Sequence, residues 1–438
     1  MPFRRLLPLV LALMLLPAFP ALAAVQVDVT EMDGGFHYAF ALPGEEFALL
    51  DYSAPLEKGS MVLWGENGAF EGDVALRCSQ AGGALKVTVK NLDERTQGEA
   101  KLTLAKDPAY AAPTGKSTVK VTNFVLKETG EGIAYSFLAP GSDFMMLCVH
   151  SKQETYTFPV YPQDETGLYQ GEIVMPLTYP RSQITVQVQT AKGLVQKEEK
   201  ARKGYQAPDP AEQREGRLSG VTVCIDPGHA ENGQRVLEPI GPGLTGKTSG
   251  TSGMAQGIST KRMESIVVLE ISMLLRDELL RQGANVVLTR TAQDGWLSNL
   301  DRCQVAEDAG AQIMLRLHGD TRESHTKLGF SVYGPLNSAY ARAEAEPKVY
   351  RAMGEMLIDD MKRAVGYALE DKYGIVHLND QFVGNNWAKM TCFLVEMGYM
   401  STPREDYLLS HPVWQSRIAQ GMAQGVYDIA VYRGWIAE

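Results

Sequence analysis

Cysteine is scarce in this 438-residue chain, and its five cysteines are irregularly spaced. No two of them have the close spacing of a structural zinc site, and an odd count argues against a disulfide framework. None lies at a helix start or beside a basic group that would clearly activate a thiolate nucleophile. These absences argue against a disulfide-stabilised protein and against an enzyme with a cysteine nucleophile. The five cysteines are Cys78, Cys148, Cys224, Cys303 and Cys392.

Positive charge is also in deficit, because the formal net charge is −10. An acidic chain has no general attraction to phosphate backbones or anionic surfaces. We therefore expect no nucleic-acid partner.

The N-terminus has the pattern of a secretory signal. Arg4 and Arg5 precede the apolar segment from Leu6 to Leu16, and Ala21-Leu22-Ala23 resembles a cleavage site. These features predict a signal peptide over residues 1–24 and a secreted or cell-envelope protein, outside the cytoplasmic membrane. An uncleaved anchor is the alternative, because the stretch from Leu6 to Val25 carries no charge.

Residues 25–200 contain an internal repeat rich in short strands and turn residues. The sequence His37-Tyr-Ala-Phe-Ala-Leu-Pro-Gly44 resembles Ala134-Tyr-Ser-Phe-Leu-Ala-Pro-Gly141, 97 residues later. Gly68-Ala-Phe-Glu-Gly-Asp-Val74 resembles Gly167-Leu-Tyr-Gln-Gly-Glu-Ile173, 99 residues later. A nearly constant offset predicts two copies of one small all-β domain, of immunoglobulin-like class, at 25–110 and 116–200.

The function of these β domains is not evident from their residues. The alternating aromatic residues fit core positions better than a sugar-binding platform. A cell-wall or protein partner remains open for them, as does a role as a spacer. Residues 201–218 are rich in Pro and charge and predict an exposed linker.

From residue 219 to 438, strands and helices alternate. Apolar runs predict strands near 221–226, 285–289, 312–317, 329–333 and 391–396, and helical periodicity predicts helices near 263–282, 298–309, 347–366 and 412–433. This pattern predicts an α/β domain with a mainly parallel sheet flanked by helices. The helix within 340–366 is expected to pack on the domain, although a position over a cleft is the alternative.

Four polar residues occupy equivalent places in this pattern. His229, His318 and Glu396 each follow or close a predicted strand, and Glu264 opens a helix on the face of its apolar stripe. Because ligands of α/β sheets bind at the carboxyl ends of parallel strands, we expect these side chains to converge.

The motifs around these residues resemble the zinc-dependent N-acetylmuramoyl-L-alanine amidases of the Amidase_3 type. The resemblance is carried by Asp226-Pro-Gly-His229, Glu264, Val286-Val-Leu-Thr-Arg290, Leu315-Arg-Leu-His318 and Leu394-Val-Glu-Met-Gly-Tyr-Met-Ser401. It implies that His229, Glu264 and His318 bind Zn²⁺ and that Glu396 is the catalytic base. The implied reaction is hydrolysis of the amide between N-acetylmuramic acid and L-alanine in peptidoglycan.

Elementary chemistry agrees with this implication. Two neutral imidazoles and one carboxylate leave zinc with an open position, as in catalytic sites. Asp226 and Asp320, next to the ligands, are expected to orient His229 and His318 through hydrogen bonds. Arg316 departs from the family pattern and needs an acidic partner that the sequence does not identify. Another zinc peptidase and a non-catalytic wall-binding protein are the alternative functions.

Overall fold

The structure is a computed structural model that describes residues 23–437 with gaps. The gaps are 33, 56–57, 77–78, 95, 107–118, 129–131, 143–144, 151–154, 175–184, 191–194, 201–214, 231–232, 235, 249–253, 294–295, 337–345 and 367–373. Residues 1–22 of the predicted signal peptide and residues 201–214 of the predicted linker therefore lie outside the described residues.

The first β unit consists of two sheets packed face to face. One sheet has the order β1-β8-β7-β4-β5 and the other the order β2-β3-β6. Phe36, Phe40 and Phe70 from the smaller sheet meet Leu50 and Val87 from the larger one in a single apolar core. The strands are β1 (Ala23–Val25), β2 (Val27–Met32), β3 (Gly35–Ala41), β4 (Phe47–Ser53), β5 (Lys58–Trp64), β6 (Ala69–Ala75), β7 (Gly83–Asn91) and β8 (Thr96–Leu104).

The second β unit repeats this arrangement. Its sheets have the orders β9-β10-β13 and β15-β14-β11-β12, which match β2-β3-β6 and β8-β7-β4-β5 strand for strand. The cores match as well: Phe40 stacks on Phe70 at 4.9 Å, and Phe137 stacks on Tyr169 at 4.7 Å. The strands are β9 (Thr122–Glu128), β10 (Gly132–Leu138), β11 (Met145–His150), β12 (Thr155–Val160), β13 (Leu168–Val174), β14 (Thr185–Gln189) and β15 (Val195–Lys200).

Matching strand orders are what two copies of one unit would produce. The antiparallel sheets confirm an all-β N-terminal region, whereas the immunoglobulin-like class and the domain boundaries remain predictions.

The C-terminal region is built on a six-stranded sheet of order β19-β16-β20-β23-β21-β22. All neighbouring pairs are parallel except β21, which runs antiparallel to β23. The sheet is therefore mixed rather than wholly parallel. Its strands are β16 (Thr222–Pro227), β19 (Asn285–Leu288), β20 (Ile313–Asp320), β21 (Phe330–Pro335), β22 (Gly374–Asn379) and β23 (Thr391–Tyr399); β17 (Glu238–Pro239) and β18 (Lys247–Thr248) form a separate small ribbon.

Helices flank this sheet, and local sequence explains their ends. A capping box between Ser298 and Asp301 starts the second helix, while Gly283 and Gly310 adopt positive φ just after the first and second helices. The helices are α1 (Glu264–Arg281), α2 (Asn299–Asp308), α3 (Pro347–Val365), α4 (Val383–Trp387), α5 (Pro403–Leu409) and α6 (Pro412–Tyr432). The four long helices agree closely with the predicted ranges.

The helix α3 packs on the domain, as expected, through a close contact with α6. Two glycines of α6 allow this close approach, because a Cβ at Gly421 would lie 2.6 Å from the Cα of Met361. A Cβ at Gly425 would lie 3.0 Å from the Cα of Leu357. These backbone contacts fix α3 against α6.

The β units are docked on the α/β region. Phe47 of β4 is 2% exposed and packs edge-on against His411 and Trp414, at centroid distances of 5.1 and 5.9 Å. Arg417 donates to Glu46 at 2.8 Å, which adds an ion pair beside this apolar contact. The second unit contacts α1, where Ile266 belongs to its apolar core.

No helix in the described part of the chain combines the length and apolar character needed to span a bilayer.

Candidate metal centre

The turn after β16 brings His229 towards His318. His229 adopts a positive φ of 56°, and Gly228 donates its backbone N–H to the carbonyl of Leu317 at 2.9 Å. A Cβ at Gly228 would lie 2.5 Å from Cε1 of His318 and 2.6 Å from the Leu317 carbonyl oxygen. Glycine is therefore required here so that the two histidine rings can approach, and their centroids lie 4.8 Å apart.

Arg290, at the end of the β19 motif, joins this turn to the start of α1. Its guanidinium donates to the carbonyls of Pro227, Gly228 and Ser265 at 3.0, 2.7 and 2.8 Å. Burial lowers the pKa of Arg290 to about 9. One buried side chain thus fixes the backbone next to both His229 and Glu264.

Glu264 is the first residue of α1 and is 3% exposed. Its Oε1 lies 3.1 Å from Nε2 of His229 and 3.0 Å from Nδ1 of His318. Its other oxygen, Oε2, accepts from the backbone N–H of Ala255 at 2.8 Å. Burial opposes ionisation of Glu264, but its hydrogen bonds to the two histidines outweigh it and hold the pKa of Glu264 below its usual value.

The three side chains fit a zinc ion. One ligand atom from each of His229, Glu264 and His318 lies within 4.8 Å of the others. Two imidazole nitrogens and one carboxylate oxygen are a donor set that zinc accepts in catalytic sites. Among the described residues, this is the one such group of three.

Glu396 lies beside the centre without being part of that group. It is paired in register with His318 across the parallel strands β20 and β23, and with Ser331 on the other side. Its Oε2 is buried and has no hydrogen-bond partner among the described residues. Burial, with the charges of Glu264 and Asp320, raises the pKa of Glu396 well above its usual range.

The two glutamates thus have opposite pKa shifts within one site. Glu264 is held ionised, as a metal ligand must be, whereas Glu396 binds a proton readily. Carboxyl groups whose environments push their pKa values apart are suited to different chemical roles. The arrangement can hold a cation and, next to it, accept and return a proton.

Asp226 does not orient His229 through a hydrogen bond, as we expected, because it accepts its hydrogen bonds from other residues. It accepts from Thr289 at 2.6 Å, from Arg302 at 2.5 Å and from Arg316 at 3.0 Å. Burial opposes its ionisation, but the two guanidinium groups outweigh it and lower the pKa of Asp226. Asp226 is therefore the acidic partner that Arg316 required, and it acts on His229 only through Arg302, which donates to the His229 carbonyl at 3.0 Å.

The expectation for Asp320 was also wrong. It accepts from the backbone N–H of Thr321 at 2.6 Å and forms an ion pair with Arg322 at 3.1 Å, rather than orienting His318. A register shift in the β20–β23 pair between His318 and Asp320 accounts for this, because it interrupts the regular strand geometry.

Glu405 supports the exit of β23, and no sequence pattern pointed to this role. Its carboxyl accepts from the backbone N–H groups of Gly329 and Tyr399, each at 2.6 Å. Burial raises the pKa of Glu405 to about 8. In the sequence it is one of two acidic residues in the first turn of α5. The favourable interaction of acidic residues with the helix dipole is enough to explain their presence there.

Three other histidines of the domain lie outside the triad. His325 contacts the carbonyl of Ser401 at 2.9 Å, His377 stacks on Tyr333, and His411 caps the start of α6. The ring N–H of Trp387 donates to the carbonyl of Pro239 at 2.8 Å, which ties α4 to the β17–β18 ribbon.

A family profile matches the part of the chain that carries these residues. The profile of the Amidase_3 family, described as N-acetylmuramoyl-L-alanine amidase, matches residues 223–428. This part of the chain is an Amidase_3 domain.

Relatives of the Amidase_3 domain are distant. The probable cell wall amidase LytH of Staphylococcus aureus is 22% identical over 209 residues, which is 48% of this chain. The match spans 58% of the length of that relative.

Solved structures cover the same part of the chain. The apo N-acetylmuramyl-L-alanine amidase Ami1 of Mycobacterium abscessus is 20% identical with a TM-score of 0.42, over 48% of this chain and 98% of that one. An N-acetylmuramoyl-L-alanine amidase of Clostridium difficile 630 is 23% identical with a TM-score of 0.38, over 48% of this chain and 96% of that one.

Proposed function

We propose that the Amidase_3 domain is a zinc-dependent hydrolase of peptidoglycan. Its reaction would be cleavage of the amide bond between N-acetylmuramic acid and L-alanine. The observation that carries this proposal is the convergence of His229, Glu264 and His318 beside Glu396, whose buried carboxyl oxygen has no partner among the described residues. Membership of residues 223–428 in an amidase family supports the choice of substrate.

Zinc would be held by the histidine nitrogens and the Glu264 carboxylate that already face one another. When bound there, it supplies a Lewis acid that polarises the amide carbonyl and lowers the pKa of water to about 7. The backbone N–H groups of Ala255 and Gly319 hold the Glu264 carboxylate in place, at 2.8 and 3.1 Å.

Glu396 would move the proton. It accepts a proton from the attacking water as the new carbon–oxygen bond forms. It then donates that proton to the alanine nitrogen as the carbon–nitrogen bond breaks, which releases a free amine and a lactyl carboxylic acid that loses its remaining proton to solvent. The buried Oε2 of Glu396, which has no hydrogen-bond partner among the described residues, is available for both proton transfers.

The remaining assignments accompany this proposal. The enzyme would act outside the cytoplasmic membrane, after export by the predicted signal peptide over residues 1–24. The β units over 25–110 and 116–200 would contact the cell wall or a protein partner. The stretch 201–218 would link them to the catalytic domain over 219–438.

The test is a peptidoglycan digest by the purified chain, with its zinc content measured. Wild type is expected to contain about one zinc and to release new N-terminal alanine while the glycan stays intact. His229→Ala should lose zinc, whereas Glu396→Gln should retain it and lose at least about 100-fold in rate. His325→Ala serves as the control histidine variant.

Other outcomes identify the alternatives. Free amines elsewhere in the peptide would make the protein a zinc peptidase. Binding to peptidoglycan with no cleavage, and no effect of Glu396→Gln, would make it a wall-binding protein.

A further inference from the structure

Arg322 lies on the segment that follows β20, four residues after His318. Its backbone N–H donates to the hydroxyl of Ser401 at 2.8 Å, which fixes the position of the residue. Its side chain pairs with Asp320 at 3.1 Å and hydrogen-bonds the Tyr399 side chain. Despite these contacts, the side chain is 53% exposed. A fixed backbone and an exposed guanidinium are what a ligand-binding arginine requires.

The other arginines around the centre are committed to the fold. Arg302 and Arg316 are buried and ion-paired with Asp226, and Arg290 donates its hydrogen bonds to backbone carbonyls. Arg322 instead lies where β20 and β23 end, because it contacts Asp320 and Ser401, which follow His318 and Glu396 along the chain. Its exposed guanidinium can meet a negative charge arriving from solvent.

An aromatic wall lies on the strand next to Glu396. Ser331 of β21 is the register partner of Glu396, and Tyr333, two residues further along that strand, stacks on His377 at a centroid distance of 4.8 Å. Phe382 contacts Tyr333 edge-on at 5.0 Å. Stacked rings thus lie beside the strand that carries Glu396, and Arg322 adds an exposed guanidinium at the exit of the neighbouring strand β20.

The guanidinium has donors to spare. An arginine has five N–H donors in a planar fork that matches a carboxylate in bidentate fashion. The contacts of Arg322 with Asp320 and Tyr399 use part of that fork. A carboxylate from the substrate can bind to the remainder without displacing either neighbour.

We propose that Arg322 determines specificity by binding a peptide carboxylate next to the scissile amide. This inference rests on the proposed amidase function. The carboxylate would belong to the second residue of the stem peptide, the residue after the alanine whose nitrogen is released. An enzyme with this contact discriminates between a free acid and an amide at that position, because the amide presents an N–H₂ group where Arg322 needs an acceptor.

The experiment uses two soluble muramyl dipeptides that differ at one group. One carries a free α-carboxylate on the second residue and the other an amide. The ratio of their kcat/KM values is measured for the zinc-loaded full chain, for Arg322→Met and for Arg322→Lys. Arg281→Met is the matched control, because Arg281 is an exposed, ion-paired arginine at the opposite end of α1. Binding of both dipeptides to Glu396→Gln, with and without Arg322→Met, is measured by calorimetry.

Wild type should prefer the free acid by about 10- to 100-fold, the range expected for a hydrogen bond to a charged group. Arg322→Met should bring the ratio close to 1, mainly through KM, and Arg322→Lys should restore part of it. The calorimetric affinities should change in the same way. Arg281→Met should leave the ratio unchanged.

Cleavage with a ratio that Arg322→Met does not alter would overturn the specificity role while leaving the amidase function intact. An equal loss on both dipeptides, with a shifted pH profile, would show that Arg322 acts on Glu396 instead. Absence of cleavage of either dipeptide and of peptidoglycan would overturn the amidase function, and this inference with it.

Discussion

Replacing Asp226 by asparagine tests how the fold supports the metal centre. Asp226 is fully buried and accepts hydrogen bonds from Thr289, Arg302 and Arg316. The side chains of the two arginines are only 4% and 6% exposed. Asparagine has the same shape but no charge, so Asp226→Asn leaves two buried guanidinium groups without their counter-ion.

The expected cost follows from that burial. Removing one partner of a buried ion pair destabilises a protein by roughly 3–5 kcal/mol, because the remaining charge stays buried and unpaired. Thr289 can still donate to the asparagine oxygen, which places the estimate towards the lower end, at about 3 kcal/mol. Arg302 also donates to the His229 carbonyl, so zinc affinity should fall by about 10-fold.

Two measurements check this prediction. Urea unfolding of the metal-free full chain gives the loss of stability, and competition with a chelator gives the zinc affinity. Asp308→Asn is the control, because Asp308 is an exposed aspartate on α2 that accepts one neutral hydrogen bond, and it should change stability by less than about 0.5 kcal/mol.

A double variant separates the ion pair from general damage. Adding Arg316→Met to Asp226→Asn removes one stranded charge, so the pair should be less destabilised than the sum of the single variants by at least about 1 kcal/mol. A loss below about 1 kcal/mol for Asp226→Asn, with zinc affinity unchanged, would refute this reading of the network.

Three further predictions concern separate parts of the chain. Burial, with the charge of a neighbouring aspartate, raises the pKa of Asp360 to about 6. Ionised Asp360 therefore destabilises the fold above that pH, and this destabilisation fades as the pH falls towards the lower pKa that Asp360 has in the unfolded chain. Asp360→Asn should therefore be more stable than wild type by about 1 kcal/mol at pH 7.5 and not at pH 4.5, by thermal unfolding; an equal gap at both pH values would contradict this. Phe47→Ala should cost roughly 3 kcal/mol in urea unfolding, whereas the exposed Tyr432→Ala should cost almost nothing; equal effects would rule out tight docking of the β unit. Gly228→Ala should lower zinc affinity by at least about 10-fold while circular dichroism stays unchanged, because the new methyl group meets the His318 ring; normal zinc binding would show that the turn can relax.

The candidate site could be predicted because its residues are tied to local patterns. His229 and His318 follow apolar runs that could only be buried strands, and Glu264 opens a helix whose stripe includes Val268 and Ile271. Strand ends and helix starts meet at one edge of an α/β sheet whatever the loops do. The bounds of the long helices were predictable for the same reason, since periodicity and end signals are local.

Other features depend on which elements meet in space. The antiparallel direction of β21 cannot be read from Phe330–Pro335, because an apolar strand has the same composition in either direction. The sequence indicated that Arg316 needs an acidic partner. The identity of that partner, Asp226, depends on α2, which brings Arg302 to the same carboxylate. The sequence distance of 90 residues between Arg316 and Asp226 carries no signal that selects this pair over others.

The docking of the β units was the least predictable feature, and it bears directly on the catalytic site. The sequence predicts that Phe47 and Ile266 are core residues of their own domains. The alternation of apolar residues in a strand and their periodicity in a helix both predict burial, but neither identifies the surface against which the side chain packs. In the structure Phe47 packs on Trp414, and Ile266 lies in the core of the second β unit only two residues after Glu264. A fragment that begins at residue 219 would expose both contact surfaces, one of them within the first turn of the helix that carries Glu264. Zinc binding and cleavage should therefore be measured on the full chain.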